Sequence, residues 1–238
     1  MKIKILLLGF VFLLGTSICW AQENNFLKDL SGLRKKIIPM CAQLQVGSPA
    51  ESDEQLLNEV DNILNDWNEL SKRYKSNAPL EFSKDPAWRA YFDDIDDNFQ
   101  IMRQKIADKD YKRATQFCGY NCGLFVHMNQ VNGLLRFTDV MFNLRKTLKL
   151  QLDMAKAGNK QGVKKLNKQI DAQFKDLFAF KAPIGGVNEK EFVQDQKILQ
   201  SALLEYQNNV IGAQDSTKLN EAFKKFIAIF NKIYYKYI

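Results

Sequence analysis

The sequence predicts an all-helical protein. From Phe26 onward apolar residues recur every three or four positions, and few segments hold the alternating Val, Ile and Thr that would argue for strands. Only 5 Pro and 12 Gly interrupt the 238 residues. With 46% hydrophobic and 26% charged residues the chain is neither a disordered tail nor a loop-rich disulfide scaffold. Its length allows one large core or two small ones and excludes a big multidomain enzyme.

The first 21 residues read as an export leader: Lys2 and Lys4, the apolar run Ile5 to Leu14, then Gly15 to Ala21 with cleavage after Ala21. That run is too short to span a bilayer. Periplasmic or secreted localisation follows, and removal of the leader takes the formal charge from +7 to +5. This charge is ordinary for a soluble protein and gives no reason to expect nucleic acid as a partner. Its distribution is uneven, with Arg145, Lys146, Lys149, Lys156, Lys160, Lys164, Lys165 and Lys168 set against Asp93, Asp94, Asp96 and Asp97. Both runs read as solvated helix faces.

The first helix is expected over Phe26 to Gln45, with Leu27, Leu30, Leu33, Ile37, Met40, Cys41 and Leu44 in its apolar stripe, ending at Gly47-Ser48-Pro49. Ser52 caps the second, which Asp53 and Glu54 suit to a positive helix end and which runs to about Tyr74. A third is expected from Asp85-Pro86, using Pro where its missing N–H costs nothing, with Trp88, Tyr91, Phe92, Ile95, Phe99, Met102 and Ile106 on its buried side. Asp110 caps a fourth that reaches Asn132-Gly133.

Four further segments, Leu134 to Ala157, Lys160 to Phe180, Glu189 to Val210 and Ser216 to Ile238, supply a second set, separated at Gly158-Asn159, Ala182 to Gly186 and Gly212-Ala213. The layout is an up-down four-helix bundle, two in tandem over 22–133 and 134–238. Since Asn132-Gly133 is a modest interruption, the fourth and fifth helices could fuse into one long shared helix. A faint repeat relates Trp67 to Leu70 and Ala78-Pro79 with Phe174 to Leu177 and Ala182-Pro183, each followed by an aromatic-bearing helix.

The most unusual segment is Phe117-Cys118-Gly119-Tyr120-Asn121-Cys122-Gly123, followed by His127 and Met128. Cys118 and Cys122 stand one turn apart on one face. Gly119 and Gly123 would let a backbone or a flat ligand come close. If the first and fourth helices are antiparallel, Cys41 reaches the level of residues 114 to 118. A soft-metal centre of Cys41, Cys118, Cys122 and Met40 is then expected, with copper the leading metal. The alternative is a disulfide from Cys41 to Cys118 or Cys122 in a non-catalytic interaction or scaffold protein, leaving one thiol free. No nucleophile, base and orienting acid can be assembled, because His127 is the only imidazole and no serine sits at a sharp turn. The expected partners are a metal ion, haem or another protein.

Trp88, Tyr91 and Phe92 on the third helix and the cysteines on the fourth give an exported bundle that resembles the periplasmic cytochromes of the cytochrome c-prime and cytochrome b562 type. The likeness spans Phe26 to Asn132 and is one of layout. It implies a haem held by a residue near the end of the last helix, a place His127 could take, and in the b562 type by a Met early in the first. Met40 is late in that helix, and the Cys-x-x-Cys-His attachment group is missing.

Overall fold

The computed structural model describes residues 25–45, 52–181, 188–212 and 215–238. The leader and the breaks at Gly47-Ser48-Pro49 and Ala182 to Gly186 lie outside them. Within them the chain is a helical bundle protein without strands. The helices are α1 (25–45), α2 (Asp53–Tyr74), α3 (Trp88–Ala107), α4 (Tyr111–Val131), α5 (Phe137–Lys156), α6 (Lys160–Ala179), α7 (Glu189–Gly212) and α8 (Ser216–Tyr237). No described helix is long and apolar enough to cross a membrane. The chain divides into two compact units between Leu134 and Leu135.

Several helix starts have a local chemical cause. Ser52 accepts a hydrogen bond from the Gln55 N–H at 3.2 Å while the Gln55 side chain takes the Ser52 N–H at 2.9 Å, closing a capping box. Asp110 accepts from the Arg113 N–H and Asn159 from the Gly162 N–H at the starts of α4 and α6. The third helix starts at Trp88, later than Asp85-Pro86. The Asp85 carboxylate accepts the Ala87 N–H and its carbonyl the Trp88 N–H, so Pro86 sits in a tight turn ahead of the helix.

The fusion of the fourth and fifth helices does not occur. Gly133 takes φ +70°, and the Leu134 N–H reaches back to the Asn129 carbonyl at 2.8 Å, a six-residue closure that satisfies the end of α4 and turns the chain away. The fifth helix therefore begins at Phe137, after the Arg136 N–H has bonded the Asp139 carboxylate.

In the first unit α1 and α2 run in opposite directions, pairing Asp29 with Arg73 and Lys36 with Asp66. The pair α3 and α4 does the same about the Asp108 to Asp110 turn, with Tyr91 against His127 at one end and Met102 against Cys118 at the other. Trp67, fully buried, stacks on Phe92 at 5.0 Å and lies 6.0 Å from Phe125, joining α2, α3 and α4 in one core. In the second unit α5 packs on α6 and α8, and α7 on α8 and α6.

The two units share a set of corresponding contacts once the helix order of one is rotated: α7–α8 takes the part of α1–α2, and α5–α6 that of α3–α4. The Tyr74 hydroxyl donates to Asp29 and the Arg73 guanidinium lies 5.1 Å over the Tyr74 ring; Tyr237 donates to Asp195 with Lys236 5.2 Å over its ring. Phe26 meets Tyr74 and Trp88 edge-on at 5.0 and 5.1 Å, and Phe192 meets Tyr237 and Phe137 at 5.1 and 4.9 Å. Even the hairpin turns agree: Lys109 takes φ 59° where Gly158 takes φ 69°. This register differs from the faint repeat in the sequence. It places Trp67 with Phe230 and Phe125 with Phe174, and the Ala182-Pro183 arm of that repeat lies outside the described residues.

Candidate functional site: a sulfur cluster beneath α4

The stripe that buries α1 turns Met40 and Cys41 inward, 1% and 8% exposed. Cys118 and Cys122 face in from α4, one turn apart, at 2% and 6%. Cys41 and Cys118 form a disulfide with Cα atoms 5.9 Å apart, and Cys122 is a buried thiol outside that bond. The bond joins residues 77 apart in sequence. In the chain-entropy account, closing a loop of that length in the unfolded chain stabilises the fold by about 4.5 kcal/mol.

One more sulfur lies against the disulfide. Met102, fully buried on α3, places Sδ 3.4 Å from Cys118 Sγ. The apolar stripe of the third helix puts Met102 in the core. The signal that it faces Cys118 was available, since the two residues are equidistant from Asp110 about the α3–α4 turn. Two sulfur atoms in a disulfide are not thiolates, so only Cys122 retains a thiol here. Among the described residues no three His, Cys, Asp or Glu side chains gather as a metal-holding group.

His127 is exposed on α4, its ring edge-on to Tyr91 at 6.0 Å. It stands nine residues, about 14 Å, along the helix from Cys118. Gly119 and Gly123 border open space: a Cβ at either would meet nothing within 4 Å, so no described helix closes in on them. Each follows a buried cysteine by one residue, which swings it about 100° off the buried face. The outer face that results carries Tyr120 at 57% and Val131 at 52% exposure, with half-buried Phe117 and Leu124 between the same turns. The Phe117 and Tyr120 rings meet edge-on at 5.5 Å.

The same place in the second unit holds different chemistry. Counting from the matched turns and aromatic clusters, Gln151, Asn167, Asp171 and Gln207 stand where Met102, Cys118, Cys122 and Cys41 stand in the first. Gln151 donates to Asn167, and Gln207 donates to Asp171 at 3.0 Å. Polar hydrogen bonds thus tie α5 to α6 and α6 to α7 where sulfur contacts tie α3 to α4 and α4 to α1.

The acidic run also behaves as read from the sequence. Asp93, Asp94 and Asp97 are exposed, and burial followed by the nearby Asp97 charge pushes the half-buried Asp96 carboxyl up. No protein-family model matches the chain, and neither does any curated protein or solved structure. Fold and site together define an all-helical protein of two units, the first clasped internally by a disulfide.

Proposed function

We propose that this is an exported, non-catalytic interaction protein built of two up-down four-helix bundles, with α4 as the working helix of the first. The observation that carries the reading is that α4 is fixed on its inner side by the Cys41–Cys118 bond while its outer side presents Tyr120 and Val131 to solvent beside the half-buried Leu124. A rigid helix offering an exposed apolar stripe loses little conformational freedom when a partner covers it. Export supplies the oxidising surroundings in which such a bond persists.

Replacing Tyr120 and Val131 by Gln tests whether this face is free. Stability should change by no more than about 0.5 kcal/mol in urea unfolding, as for exposed positions generally. A loss of about 2 kcal/mol would place both side chains in a core and overturn the reading.

A second reading rests on the Met102 contact. With the disulfide reduced, Cys41, Cys118 and Met102 would offer two thiolates and a thioether, a donor set suited to Cu(I), with Cys122 and Met40 nearby in sequence. Titration with Cu(I) separates the two. The interaction reading expects no uptake by the chain as isolated, and one ion per chain without added reductant would overturn it. Uptake confined to the reduced chain, weakened by Met102→Leu, would favour the copper centre.

A further inference from the structure

The two units carry opposite charge. Residues 22–134 hold 14 Lys and Arg against 17 Asp and Glu, whereas residues 135–238 hold 18 against 10. The excess is concentrated at one end of the α5–α6 hairpin, where eight basic residues and the single acid Asp153 fall between Arg145 and Lys168. Lys146, Lys149 and Lys156 on α5 and Lys160, Lys164, Lys165 and Lys168 on α6 are all exposed, and none makes an ion pair with a described residue. The first unit differs: Lys36, Arg73, Lys75, Arg103 and Lys109 each engage an aspartate.

We infer that the α5–α6 hairpin is a docking face for an anionic lipid surface. Lys160, Lys164 and Lys168 repeat every four residues, so they form one stripe about 12 Å long, and Lys156 lies across the same turn with Lys149 and Lys146 further up α5. Charges this close lie within about one or two Debye lengths at physiological salt and act together on a charged surface. Three features favour lipid over nucleic acid. Seven of the eight cations are Lys, compact point charges suited to diffuse attraction by a charged surface, and the planar Arg fork that reads guanine edges in nucleic acid is nearly missing. No aromatic residue lies between Arg145 and Lys168 on which a base could stack. Leu150, 46% exposed one turn from Lys146, adds an apolar contact of the kind that settles among headgroups.

The test is sedimentation of the full chain with vesicles of phosphatidylcholine alone, or with one third phosphatidylglycerol, at low and physiological salt. Binding should require phosphatidylglycerol and weaken with salt. Lys164→Glu/Lys165→Glu/Lys168→Glu should bind about a hundredfold more weakly. The glutamine version of the same triple variant, which removes charge while keeping good helix formers, should fall between, and circular dichroism should show both folded. Lys28→Glu/Lys35→Glu/Lys112→Glu, equal in charge change but placed in the first unit, should bind as wild type. Equal loss in both glutamate variants would reduce the effect to net charge and overturn the proposal. So would equal binding to neutral vesicles, or indifference to both vesicles with capture of a DNA oligonucleotide.

Discussion

The seam between α1 and α4 and the seam between α7 and α6 occupy the same place in two matching units, yet one is covalent and the other is a Gln207–Asp171 hydrogen bond. The contrast separates what the fold needs from what one unit adds. Both units share the ring cluster at one end, the Asp–Tyr pair with a cation over the ring, and the left-handed residue in the hairpin turn. Those features specify the bundle. The disulfide belongs to the first unit alone, so the bundle forms without one in the second, and in the first it adds stability on the buried side of α4.

Trp67 and Trp88 both lie in the first unit and the second unit has no tryptophan, so indole fluorescence reads one unit while helical circular dichroism reads both. The largest expected effect is that of Cys41→Ala/Cys118→Ala: the fluorescence-detected urea transition should lose about 4.5 kcal/mol. The part of the dichroism transition that fluorescence does not see should stay in place. If both phases moved together, the units would not be separate in stability.

Phe230→Ala probes the other side. Phe230 is fully buried between Phe226 and Tyr234 and corresponds to Trp67. Its truncation should cost about 3 kcal/mol in the fluorescence-silent phase, leaving the tryptophan signal unchanged.

A smaller effect concerns pH. Burial pushes the Asp195 carboxyl up, but hydrogen bonds from Lys236 and Tyr237 outweigh it and hold the group below the usual carboxylate range. Burial and the Asp195 bond raise the Tyr237 hydroxyl to about 12, so it stays a donor at all ordinary pH. A depressed carboxylate stabilises the fold above its unfolded pKa and loses that contribution as pH falls, here from about pH 4 downward. Asp195→Asn should cost about 1 kcal/mol at neutral pH, the partly exposed Lys236 limiting the gain, and should flatten the acid sensitivity of the second unit. Unchanged acid dependence on urea titration at several pH values would remove the pair from the account.

The smallest effect is a gain. Because a Cβ at Gly119 or Gly123 meets nothing within 4 Å, each Gly→Ala change should stabilise the first unit by about 0.5 to 1 kcal/mol. Destabilisation would mean that the face is occupied.

The helices themselves were legible because of the 3.6-residue spacing of their apolar residues, with Ser52 and Asp110 marking two starts and Gly158-Asn159 a break. What escaped had a physical reason in each case. Asn132-Gly133 was ambiguous because a glycine can sit within a helix or end it, and only the Leu134 to Asn129 bond decides. Cys118 and Cys122 share a face, so the choice of partner for Cys41 depends on helix register finer than one turn, which spacing does not fix. The matching of units through rotated helix order was hidden because apolar periodicity fits many registers, whereas the Asp29–Tyr74 and Asp195–Tyr237 pairs join residues over forty positions apart.

The most direct measurement is peptide mapping of the chain under non-reducing conditions, with thiols blocked before unfolding. The account expects a peptide containing Cys41 linked to one containing Cys118 in full yield, and Cys122 alkylated only once the chain is unfolded. Free Cys41 and Cys118, or a bond that takes Cys122, would contradict it.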